Sequence, residues 1–61
     1  MEFSSMLTGY RLLQTVDLEI KYIDFQRDKN NYIRAGIYNG YLDKRINAIE
    51  IVLNERNENN G

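Results

Sequence analysis

The chain of 61 residues contains no cysteine, no histidine and no proline. Without cysteine it can form no disulfide, and without cysteine or histidine it lacks the ligands of the usual structural zinc sites. A calcium loop would need acidic residues at alternate positions around a glycine, and the sequence has no such run. The residue types that most often serve as general base or activated thiol are missing as well. We therefore expect no metal, no cofactor and no catalytic residues, that is, a protein that is not an enzyme.

Clusters of one charge and long apolar runs are also missing. Eight basic and nine acidic residues give a net charge of −1, and no basic run exceeds two residues. This composition argues against a nucleic-acid partner. The apolar runs are too short to span a membrane, and the N-terminus lacks the basic and apolar segments of a signal peptide. We expect a cytoplasmic protein without a membrane partner.

A chain of this length forms a single domain, here residues 1–61, and buries only about 60% of its unfolded surface. Without disulfides or metals, such a chain needs regular helix packing or association with another chain. The small size therefore favours a protein partner or a homo-oligomer.

The second half of the sequence carries the clearer helical pattern. When residues are placed at 100° steps, one apolar seam falls within a narrow arc, with spacings of three and four. The seam consists of Ala35, Tyr38, Leu42, Ile46, Ile49 and Leu53. A neighbouring stripe consists of Ile37, Tyr41, Ala48 and Val52. The pattern predicts a helix over residues 32–56 with an apolar face too wide for one partner helix.

The first half has two apolar stripes, which predict a helix over residues 5–27 with neighbours on two sides. One stripe is Leu12, Leu13, Val16, Ile20 and Ile23, and the other is Leu7, Leu18, Tyr22 and Phe25. Ser4 or Ser5 is the expected cap at its start.

The polar stretch at residues 28–31 predicts the turn between the helices, with Asn31 capping the second. Residues 57–61 are polar and predict a frayed tail. The expected fold is thus all-α, a two-helix antiparallel hairpin, and its surplus apolar surface predicts a dimer that forms a four-helix bundle. A β alternative rests on the alternation in residues 18–22 and on Asn39-Gly40, a pair common in tight hairpins.

Three arginines, Arg34, Arg45 and Arg56, recur every eleven residues beside the apolar stripes. They predict either interhelical ion pairs with Asp17 and Asp24 or recognition of an acidic partner. A weaker alternative assigns the three arginines to nucleic-acid binding. The predicted partner-binding surface comprises Arg34, Ile37, Tyr38, Tyr41, Arg45, Ala48 and Val52.

One segment, Asn39-Gly40-Tyr41-Leu42-Asp43, resembles a known motif in its position after the predicted turn. The two-helix phosphatases of bacterial sporulation control carry Ser-Gln-Glu-Leu-Asp at the matching place, and only Leu42 and Asp43 agree. The resemblance implies an alternative function, the removal of phosphate from an aspartate of a response regulator.

The sequence as a whole predicts a small, non-catalytic regulator or inhibitor that binds another protein through helix faces. Its high content of Asn, Ile and Tyr is typical of AT-rich genomes and suggests a bacterial, phage or mobile-element gene.

Overall fold

The computed structural model describes residues 2–60, with side chains from residue 3 to residue 58. Three helices follow one another along the chain: α1 (Glu2–Arg11), α2 (Thr15–Arg34) and α3 (Gly40–Asn60). Helix α3 packs against both α1 and α2, which make few contacts with each other. The all-α class is confirmed, and residues 2–60 contain no strand. The predicted two-helix hairpin is not confirmed, because residues 2–60 form three helices.

The first break in the helical path lies at residues 12–14, inside the predicted helix 5–27. Two short i→i+3 hydrogen bonds close α1, from Leu12 N to the Gly9 carbonyl (3.2 Å) and from Leu13 N to the Tyr10 carbonyl (3.1 Å). Gln14 is extended, at φ −72° and ψ 155°, and makes no side-chain capping hydrogen bond. No glycine, proline or capping side chain marks this break, and the apolar periodicity continues across it. The sequence therefore contains no local signal of the break at residues 12–14.

The carbonyl groups freed at this break are bound by Arg56 of α3. Its guanidinium donates to the carbonyls of Arg11 (3.1 Å) and Leu13 (2.6 Å) and to the hydroxyl of Thr15 (3.0 Å). The last carbonyls of a helix have no intrahelical partner. One side chain of α3 thus satisfies the end of α1 and fixes the start of α2.

The turn predicted at residues 28–31 is wrong as well, since these residues lie inside α2. Asp28, Asn30 and Asn31 are exposed on the solvated side of the helix, whereas Lys29 turns towards α3 and pairs with Asp43. The absence of apolar residues here reflects a solvated helix face and not a loop.

The connection between α2 and α3 occupies residues 35–39 and is built from two standard caps. Gly36 has φ +76°, and the amides of Ile37 and Gly36 donate to the carbonyls of Tyr32 (2.9 Å) and Ile33 (3.0 Å). This is the pattern of a Schellman motif, which needs a left-handed residue after the helix end. The Asn39 side chain then accepts from the amides of Tyr41 (3.1 Å) and Leu42 (3.4 Å), as an N-cap does. Asn39-Gly40 therefore starts a helix and belongs to no β-hairpin.

The core surrounds the middle of α3. Its buried apolar side chains are Tyr10, Leu18, Leu42, Ile46, Ala48, Ile49 and Val52. The predicted seam is right for Leu42, Ile46 and Ile49, but Ala35 and Tyr38 precede α3 and are exposed. The predicted tail is helical through Asn60, and Gly61 lies outside the described residues.

Candidate functional site

The seven residues predicted to bind a partner do not lie on one surface. Ala48 and Val52 are 0% and 1% exposed. They are buried because α3 has a helix on two sides, so the prediction that they contact a partner is wrong for this fold. Arg34, Ile37, Tyr38 and Tyr41 are exposed, and Arg45 is half-buried. Of these five, Tyr41 and Arg45 line one groove, whereas Ile37 and Tyr38 line a different cavity.

Tyr41 and Arg45 lie on α3 in the wall of an open groove between α1 and α3. The groove has a volume of about 460 Å³. Its remaining lining consists of Ser5, Met6, Gly9, Tyr10 and Leu13. Its size is within the usual range for small-molecule sites, and its surface is mostly apolar with a few polar groups.

The guanidinium of Arg45 is held by three aromatic side chains. It lies over the ring of Tyr41, with Cζ 4.3 Å from the ring centroid, and 5.6 Å from the centroid of Phe25. Nη1 donates to the Tyr10 hydroxyl at 3.4 Å, and Nη2 donates to the Tyr41 hydroxyl. The hydrogen bond to Tyr41 is the largest cause of a raised Arg45 pKa, so the side chain stays charged.

Ile37 and Tyr38 lie at the corner between α2 and α3. With Lys29, Tyr32 and Asp43 they line a small cavity of about 70 Å³. The neighbouring Ile33 is exposed too, and Tyr38 is 83% exposed. We name the four side chains Tyr32, Ile33, Ile37 and Tyr38 the corner patch. Arg34 ends α2 next to this patch.

The arginine repeat does not form the predicted face, since Arg34 belongs to α2 and the other two belong to α3. The Oδ1 atom of Asp24 lies 3.9 Å from Nη1 of Arg27 on the same helix, α2. Among the ion pairs of the described residues, none joins Asp17 or Asp24 to Arg45 or Arg56. The predicted interhelical pairing of these residues is therefore wrong.

Two other ion pairs join the helices. Arg11 Nη2 lies 2.8 Å from Glu55 Oε2, and Lys29 Nζ lies 2.8 Å from Asp43 Oδ1. The hydrogen bond from Arg11 lowers the pKa of Glu55, and the one from Lys29 lowers the pKa of Asp43. The four side chains are 34% to 47% exposed, so both pairs are partly screened by solvent and we expect each to contribute little to stability. None of the four residues in these two ion pairs was predicted from the sequence to make a contact between helices.

A further exposed apolar surface, outside the predicted partner-binding residues, is the outer face of α2 with the residue leading into it. Its apolar side chains are Leu12, Val16, Ile20 and Ile23, exposed by 82%, 56%, 54% and 57%. We name these four residues the outer stripe. At 100° per residue, Val16, Ile20 and Ile23 lie opposite Leu18, Tyr22 and Phe25, which face the core. The sequence signal for the outer stripe was the pair of apolar stripes in the first half of the chain. Helix α3 covers the stripe that contains Leu18, Tyr22 and Phe25 and leaves the other exposed.

The segment that resembles the phosphatase motif has local structural roles here. Asn39 caps α3, Leu42 is buried, and Asp43 pairs with Lys29. The match of Leu42 and Asp43 thus falls on one core residue and one ion-paired residue.

The fold and these surfaces define a small three-helix protein with a groove at one side and apolar side chains exposed along α2. Comparison with known proteins finds no matching family, no matching curated protein and no matching solved structure. No helix within residues 2–60 is long and apolar enough to cross a membrane.

Proposed function

We propose that the chain is a cytoplasmic, non-catalytic regulator or inhibitor that dimerises through the outer stripe of α2 and binds a target protein at the corner patch. The observation that supports the proposal is that α2 is apolar on two opposite faces, of which α3 covers only one. A surface helix ordinarily carries polar residues opposite its buried face, and a helix that is apolar all round is normally enclosed. Exposed apolar patches of this kind mark interaction sites.

A second copy of the chain is the simplest occupant of the outer stripe. Two α2 helices packed antiparallel across a two-fold axis, each with its α3 behind it, would give a four-helix core from α2, α3 and their copies. Such an isologous interface uses the same patch on both chains. The proposed dimer therefore keeps the four long helices of the sequence-based prediction and adds α1 at the outside.

The free energy available to this dimer is modest. Covering four side chains that are 54% to 82% exposed on each of two chains yields roughly 7–15 kcal/mol, at about 1.5–3 kcal/mol per fully buried residue. Association costs about 4–15 kcal/mol in lost translational and rotational freedom. We therefore expect a weak dimer, which has to be sought at concentrations up to about 1 mM.

The decisive test compares two substitutions of the same type on one helix. Ile20→Asp places a charge in the middle of the outer stripe, and Ile33→Asp places it at similar exposure in the corner patch. By light scattering over a dilution series, the wild type and Ile33→Asp should dimerise and Ile20→Asp should remain monomeric. Circular dichroism should show the same helix content in all three. A wild type that is monomeric at 1 mM, or equal behaviour of both variants, would contradict the dimer.

Target binding at the corner patch is tested separately. A photoreactive amino acid in place of Tyr38, which is 83% exposed, should cross-link in the source cells to a protein of different sequence. The same amino acid in place of Ile20 should cross-link to a second copy of the chain. If position 38 yields only copies of the chain, the regulator or inhibitor function is wrong and the dimer alone stands.

A further inference from the structure

Among the residues whose side chains the structure describes, no acidic partner pairs with Arg45, the cation in the groove between α1 and α3. The described ion pairs involve Arg11, Arg27 and Lys29, and the described hydrogen bonds of Arg45 go only to tyrosine hydroxyls. An arginine has five N–H donors, and the two tyrosines use one each. The Nε atom of Arg45 is buried without an acceptor. One hydrogen on Nη1 and one on Nη2 have no acceptor among the described hydrogen bonds and are available to a ligand.

The two tyrosine hydroxyls add to this set of donors. Because each oxygen accepts a hydrogen bond from Arg45, its own proton is free to donate in another direction. The Arg45 end of the groove thus presents N–H and O–H donors around one positive charge. This arrangement suits an acceptor that carries one negative charge, and a guanidinium fork matches the two oxygens of a carboxylate.

Apart from Ser5, the rest of the groove is apolar, and it borders open space at Gly9. A Cβ atom built on Gly9 would meet no atom within 4 Å outside its chain neighbours and its own helix backbone. Met6 and Leu13 flank it and are half-buried. At 1.5 Å per helical residue, the α1 wall of the groove from Ser5 to Tyr10 extends over roughly 8 Å, and Leu13 lengthens the groove past the end of the helix. That length accommodates an extended alkyl chain.

We propose that this groove binds a free fatty-acid-type monocarboxylate, with the carboxylate at Arg45, Tyr10 and Tyr41 and the alkyl chain along Gly9, Met6 and Leu13. A single guanidinium and two hydroxyls match one negative charge better than the two charges of a phosphate monoester. The alkyl chain gains free energy by covering the half-buried side chains. This site is independent of the outer stripe and of the corner patch, and therefore of the proposed function.

The test is a titration of the full chain with octanoate, in which binding is monitored by the amide chemical shifts in ¹H–¹⁵N correlation spectra. Octan-1-ol is the matched ligand, because it has the same chain length and no charge. Octanoate should shift the amides of Gly9, Tyr10 and Arg45 in a saturable manner, and octan-1-ol should bind about tenfold more weakly, the loss expected for one charge-assisted interaction. Equal binding of the two ligands would overturn the proposal.

Two variants separate the two ends of the ligand. Arg45→Gln removes the charge and should weaken octanoate about tenfold without affecting octan-1-ol. Gly9→Leu fills the groove and should weaken both ligands. Since Gly9 borders open space and glycine lowers helix stability, Gly9→Leu should unfold at the same temperature as the wild type or higher.

The pattern of shifts supplies the remaining outcome. If octanoate shifts the amides of Val16, Ile20 and Ile23 and leaves Gly9 and Arg45 unchanged, it binds the outer stripe as a detergent would, and the groove site is wrong. If Gly9→Leu binds octanoate as tightly as the wild type does, the groove site is also wrong.

Discussion

Helices α2 and α3 have almost the same length and similar composition, but they differ in how much of their apolar surface is covered. Helix α3 buries Leu42, Ile46, Ala48, Ile49 and Val52 between α1 and α2. Helix α2 buries only Leu18 fully and exposes its outer stripe. Since both helices carry wide apolar faces in the sequence, the difference comes from position: α3 is central and α2 is peripheral. An apolar stripe in the sequence therefore shows that a face is suited to burial, and the neighbours decide whether it is buried.

The largest expected effect contrasts isoleucines of the two helices. Ile49→Ala should destabilise the protein by about 2–5 kcal/mol, because Ile49 is fully buried and the substitution leaves a cavity. Ile20→Ala should cost below about 1 kcal/mol when measured at low concentration, where the chain is monomeric, because Ile20 is 54% exposed. Urea denaturation monitored by circular dichroism gives both values.

The loss from Ile49→Ala is large for a chain of 61 residues and is capable of unfolding it. Ile49→Val removes one methylene group and should cost about 0.5–1.5 kcal/mol, so it keeps the comparison measurable. If Ile49→Val and Ile20→Val lower the free energy of unfolding equally at low concentration, the outer stripe is already buried within one chain. The contrast between α2 and α3 would then be wrong.

A smaller effect concerns the attachment of α1 to the central helix. Arg56→Gln removes the guanidinium that binds the carbonyls of Arg11 and Leu13 and the hydroxyl of Thr15. We expect a loss of about 1–2 kcal/mol, at the lower end for hydrogen bonds from a charged donor because the site is partly solvated. Asn54→Gln, on an exposed position of the same helix, is the control and should be near neutral.

Hydrogen exchange shows whether the loss from Arg56→Gln is local. In Arg56→Gln, amides of α1 and of residues 12–14 should exchange faster, while those in the middle of α3 should change only with global stability. Uniform acceleration over all three helices would show that Arg56 stabilises the whole fold and does not act specifically on the break between α1 and α2.

The two breaks explain how far the sequence could predict this fold. The helical class and the buried Leu42, Ile46 and Ile49 follow from periodicity alone. The break at residues 35–39 had a local signal, Gly36 before Ile37 and then Asn39, which the sequence analysis assigned to the inside of a helix. The break at residues 12–14 had none, since its freed carbonyls are satisfied by Arg56, more than forty residues away. Only a tertiary contact determines it.

The candidate site was less predictable for the same reason. Tyr41 was predicted as a binding residue because it belongs to the second apolar stripe, and Arg45 because it recurs with Arg34 and Arg56 beside the stripes. Their neighbours Gly9 and Tyr10 come from α1, whose separation from α2 had no local signal. The outer stripe was recognised as apolar, but periodicity does not say which of two stripes a neighbouring helix covers.

The smallest expected effect is the pH dependence of the contact between α2 and α3. Lys29 lowers the pKa of Asp43 in the folded chain below its ordinary value of 3.8. A carboxyl with a lowered folded pKa stabilises the protein above its unfolded pKa, and this contribution is lost as the pH falls through the folded value. Stability should therefore decline below about pH 4, and Asp43→Asn should make the decline shallower.

Glu55 provides the comparison for the other face of α3. Arg11 lowers its pKa below the ordinary 4.5, so Glu55→Gln should also make the acid decline shallower, through the contact with α1. Both pairs are solvated, so 0.5 M salt should reduce both effects, whereas the loss from Ile49→Val should not change with salt. If Asp43→Asn leaves the decline between pH 5 and pH 2 unchanged while Glu55→Gln reduces it, the ion pair between Lys29 and Asp43 contributes nothing. The attachment of α2 to α3 would then rest on apolar contacts and on two remaining hydrogen bonds, from the Tyr22 hydroxyl to Glu50 (2.9 Å) and from Arg56 to the Thr15 hydroxyl (3.0 Å).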